Sequence, residues 1–144
     1  MILPARLRAL ARDDDGSILP LILGYALLAI AVVLTCVCAT DLHIAQKRLD
    51  SLADAAALAG SDGFVLQIDG ESVRAELTDG GVHEQADAVI SAVAQDAQLV
   101  SASTPDGVSA RVTVTAAWHP PLLSPFVPDG VRLEAIGTSR TALR

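Results

Sequence analysis

The chain has few aromatic side chains, 3% of 144 residues, against 51% hydrophobic residues, so alanine, valine and leucine carry its apolar content. It is also short of positive charge. Ten bases, of which Lys47 is the single lysine, face 17 acids for a net charge of −7. That deficit argues against sequence-independent nucleic-acid binding, which needs a basic face to displace counterions from phosphate. Cysteine is confined to Cys36 and Cys38. Two residues apart on a helix, they point to nearly opposite faces and cannot bridge each other. Small apolar filler is the simplest role for both, ahead of lipidation or an intermolecular disulfide. No cysteine follows Cys38, so thiolate metal sites are excluded from the rest of the chain, which packing alone must hold together. No HExxH, GxSxG, CxxC or P-loop spacing occurs. His43, His83 and His119 are far apart in sequence, and Asp69-Gly70-Glu71 lacks the regular acidic spacing of a calcium loop. The sequence therefore predicts no catalytic residue, no metal site and no cofactor, and no small-molecule substrate is evident.

What is present is one long uncharged run. It starts after Asp13-Asp14-Asp15 and ends before Asp41: GSILPLILGYALLAIAVVLTCVCAT, the 25 residues from Gly16 to Thr40. A helix needs ~20 apolar residues to cross ~30 Å of hydrocarbon. A cleaved secretory signal has an apolar region of only ~7–15 residues. The run reads as a retained transmembrane helix, residues 17–40, with a lipid bilayer as its surroundings. Arg6, Arg8 and Arg12 precede it, while Lys47 and Arg48 follow closely. This modest positive-inside bias puts the arm, residues 1–16, in the cytoplasm. The acidic triplet suits the positive end of the following helix. The expected product is a single-pass protein of the inner (cytoplasmic) membrane with an exported C-terminal part. From Asp41 onward there are 14 acids and 7 bases, so the exported part carries the whole net charge.

The helix is expected to continue past the membrane as a stalk, residues 41–62. DLHIAQKRLDSLADAAALA contains neither proline nor glycine. Leu42, Ala45, Leu49, Leu52, Ala56 and Ala59 recur at spacings of 3 and 4, an a/d packing stripe. Half of it is alanine, which permits close approach and contributes little burial by itself. The stripe suits packing on the protein's own sheet, on a bundle of sister helices, or on both in turn. Asp54, a lone acid among small residues, suits a pairing with Lys47, Arg48 or a partner subunit, or simple solvation.

Beyond Gly63 the pattern turns to α+β. Phe64–Ile68 and Ser72–Leu77 read as a hairpin around Asp69-Gly70. Val82–Ala97 reads as an amphipathic helix with Ala86, Val89, Ile90, Val93 and Ala97 on one face. Leu99–Thr104 leads to a Pro105-Asp106-Gly107 turn. Val108–Trp118 shows period-two alternation, with Val108, Ala110, Val112, Val114, Ala116 and Trp118 on one face and Ser109, Arg111, Thr113 and Thr115 on the other. A proline-rich loop and a last strand, Val131–Ser139, follow. The expected fold is a long N-terminal transmembrane helix continuing into a small exported head, residues 63–144, with a second helix and an antiparallel sheet of about three strands.

The stretch from Asp14 to Gly60 resembles the N-terminal region of TadE/TadG-like Flp (tight adherence) pilus-assembly proteins. In both, a short basic arm precedes Gly16-Ser17, the hydrophobic span, a basic-polar helix with Lys47-Arg48-Leu49, and the ending Asp54-Ala55-Ala56-Ala57-Leu58-Ala59-Gly60. More loosely, VSARVTVTAAW, a proline-leucine loop and VRLEAIGTSRTAL are similar to the paired strands that close such proteins. The resemblance implies a non-enzymatic, pilin- or pseudopilin-like minor subunit, in a setting of cell adhesion and secretion-type machinery. Its partners would be other Tad/Flp pilus subunits or assembly proteins, and prepilin-type cleavage would fall between Gly16 and Ser17. Pilin-type subunits carry glutamate five residues after that point, where this chain has Leu21. The departure directs the reading to the unprocessed, TadG-like end of the family: a membrane-anchored assembly factor or tip component. The alternative is a membrane-tethered exported binding or sensor module unrelated to pili.

Overall fold

The computed structural model describes residues 18–70, 72–122, 124–125 and 127–140. The arm, and with it Gly16 and Ser17 of the expected cleavage point, lies outside the described residues. The architecture is α+β: a long apolar N-terminal helix, a second helix and two small antiparallel sheets. The chain divides into two compact units, Met1–Val37 and Cys38–Arg144.

Helix α1, Ile18–Ser61, is 44 residues long and unbroken. Pro20 falls in its first turn, where the missing N–H has no intrahelical partner to lose. At the other end the ladder tightens: the amides of Asp62 and Gly63 donate to the carbonyls of Ala59 and Gly60 at 3.0 and 3.1 Å. These i→i−3 bonds close the last turn before Gly63 releases the chain.

Strands β1 (Phe64–Asp69) and β2 (Ser72–Leu77) form the first sheet, a two-stranded hairpin paired from Phe64↔Leu77 to Asp69↔Ser72. Gly70 supplies the positive φ, +64°, that the tight turn needs. Helix α2 occupies Asp79–Val93, earlier at both ends than the expected Val82–Ala97. At its start, the Thr78 hydroxyl accepts from the Gly81 amide at 3.1 Å. This N-cap, with Asp79 in the first turn, offsets the poor helix propensity of Gly80 and Gly81. At its end, Ala97 pairs with Ala116 in a strand instead of extending the helical face. Val82, Ala86 and Ile90, spaced by four, are the buried positions of α2. Burying the valine and the isoleucine contributes about 1.5–3 kcal/mol each.

Strands β3 (Ala97–Ser103), β4 (Ser109–Trp118) and β5 (Val131–Arg140) form the second sheet in antiparallel order β3-β4-β5. Its inner face carries Ala110, Val112 and Val114 from β4 and Ala135 from β5, all within the core. On α1 the core residues are Leu49, Leu52, Ala53, Ala56 and Ala57. Alternation of β4 assigns Ser109 to the wet face, yet it is 92% buried, with 8% of its surface exposed. The reason is local. Asp106 gathers the amides of Val108 and Ser109 at 3.0 and 2.6 Å and the Ser109 hydroxyl at 2.8 Å. Arg140 then donates to that same hydroxyl at 3.2 Å, closing the start of β4 onto the end of β5.

Helix and sheet approach closely at Gly137. A Cβ there would overlap the backbone carbonyl of Ala53 and lie 2.8 Å from the Asp54 nitrogen. Glycine and alanine at the contact let the helix backbone seat on the strand. Three polar ties align α1 with the sheet along its length. The Trp118 indole donates to Asp41 at 2.8 Å, Gln46 donates to the Glu134 carbonyl at 3.0 Å, and the Ser139 hydroxyl donates to that of Ser61 at 3.3 Å. Strand β5 therefore ascends beside α1 in the same direction, residue 134 beside 46 and residue 139 beside 61.

Candidate functional site

Two features stand out, one in each unit. The first is the apolar length of α1. From Ile18 to Val37 every residue is exposed, including Leu19 at 75%, Tyr25 at 65% and Leu27 at 60%. The helix is long and apolar enough to cross a membrane, and none of its most apolar stretch is buried. Apolar surface on all sides calls for an apolar medium. The Thr35 hydroxyl donates to the Ala31 carbonyl at 2.8 Å, so even this polar side chain is satisfied within the helix. Cys36 is exposed, Cys38 is half-buried and both are free thiols.

The second is a groove of about 1030 Å³ in the Cys38–Arg144 unit. Helix α1 supplies His43, Lys47 and Arg48 to it, the segment after α2 supplies Asp96, and the end of β4 supplies Trp118 and His119. The structure thus brings His43 and His119, which lie on separate elements far apart in sequence, to one groove. His83 lies apart, exposed on α2. Among the described residues no three His, Cys, Asp or Glu side chains are grouped to hold a metal ion. At the edge of the groove Lys47 meets Asp50 at 3.4 Å. The Gln46 amide, at 3.0 Å, and then Lys47 hold the Asp50 carboxyl below its ordinary range.

The stripe residues divide. Leu49, Leu52 and Ala56 are buried in the protein's own core, while Leu42, Ala45 and Ala59 are half-buried. Ala53 and Ala57, which the a/d spacing leaves out, are fully buried, so the packed face is wider than the stripe. In the Asp54–Gly60 segment, Ala56, Ala57 and Gly60 face inward, Ala59 is half-buried, and Asp54, Ala55 and Leu58 are exposed. Gly60 has a packing reason: a Cβ there would meet Val82 Cγ1 at 2.9 Å. Asp54 is joined to neither Lys47 nor Arg48.

No family model matches the chain, and neither a curated protein nor a solved structure matches it.

Proposed function

We propose that the chain is a non-enzymatic, membrane-anchored minor pilin- or pseudopilin-like component of Tad/Flp pilus assembly. The observation that carries this reading is α1 itself: an unbroken helix whose first half is apolar and exposed and whose second half is buried along one face. Such a first half is stable in lipid, and equally stable where sister helices replace the lipid. On this reading the protein has a single span in the inner membrane, its basic arm cytoplasmic and its head exported, as the positive-inside bias of the arm supports. The order of Gly16-Ser17, span, Lys47-Arg48 and the Asp54–Gly60 ending supports the pilus context. Leu21, where pilins have glutamate, supports the unprocessed form, so mass spectrometry should find the bond between Gly16 and Ser17 intact.

The test exchanges Gly16–Thr40 for an unrelated membrane helix. Pilus assembly should fail while the head stays exported, because the native helix surface supplies the contacts to sister subunits. Cysteines at exposed Leu27 and Leu58 should crosslink to other pilus subunits. Assembly that persists after the exchange, with no such crosslinks, refutes the reading.

The groove beside Trp118 favours a second reading, a tethered exported binding or sensor module. On that reading the exchange leaves function intact, whereas substitutions in the groove abolish it.

A further inference from the structure

The β4–β5 ladder ends at Trp118↔Val131, and the Trp118 indole is tied to Asp41, the first charged residue after the uncharged run. Because β5 ascends alongside α1, the loop joining β4 to β5 leaves the sheet at the end where residue 41 stands. That loop reads HPPLLSPFVPDG, twelve residues with one charged side chain, Asp129. Surface loops are mostly polar in pattern, whereas this one is mostly proline, leucine, phenylalanine and valine. Leu122 within it is 50% exposed, and Val131 just after it is 43% exposed. Exposed apolar side chains that share one edge mark a contact surface.

We propose that this edge of the head, with Trp118 as its anchor and Leu122 and Val131 beside it, rests in the interfacial layer of a phospholipid bilayer. The inference rests on reading Gly16–Thr40 as a membrane span. If the span ends near Thr40, the Asp41 carboxylate marks the water-facing boundary and the indole bonded to it lies at headgroup depth. Tryptophan favours that depth, because its ring is apolar and its N–H needs a polar partner. The charged groups near this edge have mixed signs. Lys47, Arg48 and Arg132 are offset by Asp41, Asp50, Asp96, Asp129 and Glu134. The contact is therefore apolar insertion into a zwitterionic surface, not attraction to anionic lipid. A head seated this way presents the opposite end, with the β1–β2 hairpin, to partners.

Trp118 is the only tryptophan, so its fluorescence reports the edge directly. The full-length protein is reconstituted in phosphatidylcholine vesicles carrying lipid quenchers at either headgroup or bilayer-centre depth. The expected result is retention through alkaline carbonate extraction, with Trp118 emission quenched about twofold more by the headgroup-level quencher than by the central one. Quenching should be unchanged when part of the lipid is phosphatidylglycerol. Retention with Trp118 quenched only by aqueous iodide overturns the interfacial seat and leaves the span intact. Quenching that appears only with phosphatidylglycerol overturns the apolar mode of contact. Carbonate extraction of the protein overturns the span, and the interfacial seat with it. A Trp118→Phe, Leu122→Trp variant moves the reporter to the loop and should give the same depth.

Discussion

Replacing Gly137 with alanine should loosen the head more than any other single methyl on the β5 face. The added Cβ meets the backbone of Ala53 and Asp54, which no side-chain rotamer can move aside. The helix must shift or the strand must bend, and overpacking of this kind costs about 1–3 kcal/mol. Unfolding entropy of ~2.1 cal/mol/K per residue over the 107 residues of Cys38–Arg144 makes ~2 kcal/mol a fall of about 9 °C in Tm. The assay is thermal unfolding of the full-length protein in detergent, followed by Trp118 fluorescence. Gly24→Ala is the control: no atom comes within 4 Å of a Cβ there, and Tm should not fall. Ala53→Gly should not rescue Gly137→Ala, because the obstacle is backbone and the methyl of Ala53 is not part of it. A Gly137→Ala protein that melts within about 1 °C of the parent would refute the claim that bare backbone contact sets the helix–sheet spacing.

Asp106 offers a pH test. The amides of Ser109 and Val108 and the Ser109 hydroxyl hold its carboxyl below the ordinary value of 3.8. A carboxyl whose pKa is depressed by folding stabilises the fold at pH above its unfolded value, and that contribution is lost as pH falls through the folded value. Asp106→Asn should therefore lower Tm at neutral pH, and the gap to the parent should close in acid below 3.8, as a Tm series against pH would record. Trp118→Phe removes the bond to Asp41 and should cost about 1 kcal/mol, measured by urea unfolding followed by circular dichroism. Thr78→Ala removes the N-cap of α2 and should also cost about 1 kcal/mol by the same measurement.

The hairpin was legible because Asp69-Gly70 is strong turn chemistry, and β4 because its alternation is long and regular. The long helix was legible because nothing between Leu21 and Ala59 breaks it except Gly24. Where the structure departs from the local pattern, a tertiary contact overrides the local cue. Gly80-Gly81 looks like a chain break, yet Thr78 and Asp79 start α2 there. Gly81 fits inside the first turn because the Gly63 backbone occupies the space of a side chain. Ala97 continues a helical apolar face by spacing, but pairing with Ala116 claims it for β3. Ser109 sits at a polar position of the alternation and is buried by the Asp106 and Arg140 network. The groove was illegible because α1, the end of α2 and the end of β4 each contribute a part, and no sequence window joins them. The tie from Trp118 to Asp41 spans 77 positions and leaves no periodic trace.

At Gly63 and Gly81 two segments of the chain touch through their main-chain atoms, each filling the place where the other would carry a side chain. Where side chains intervene between elements, spacing depends on residue size, and a bulkier or slimmer substitute can retune it. Here nothing adjustable lies between the partners. The exit of the long helix and the entry of the short one are locked at a separation fixed by the van der Waals radii of backbone atoms. Sequence drift can reshape the junctions that side chains fill, but this one admits a single solution.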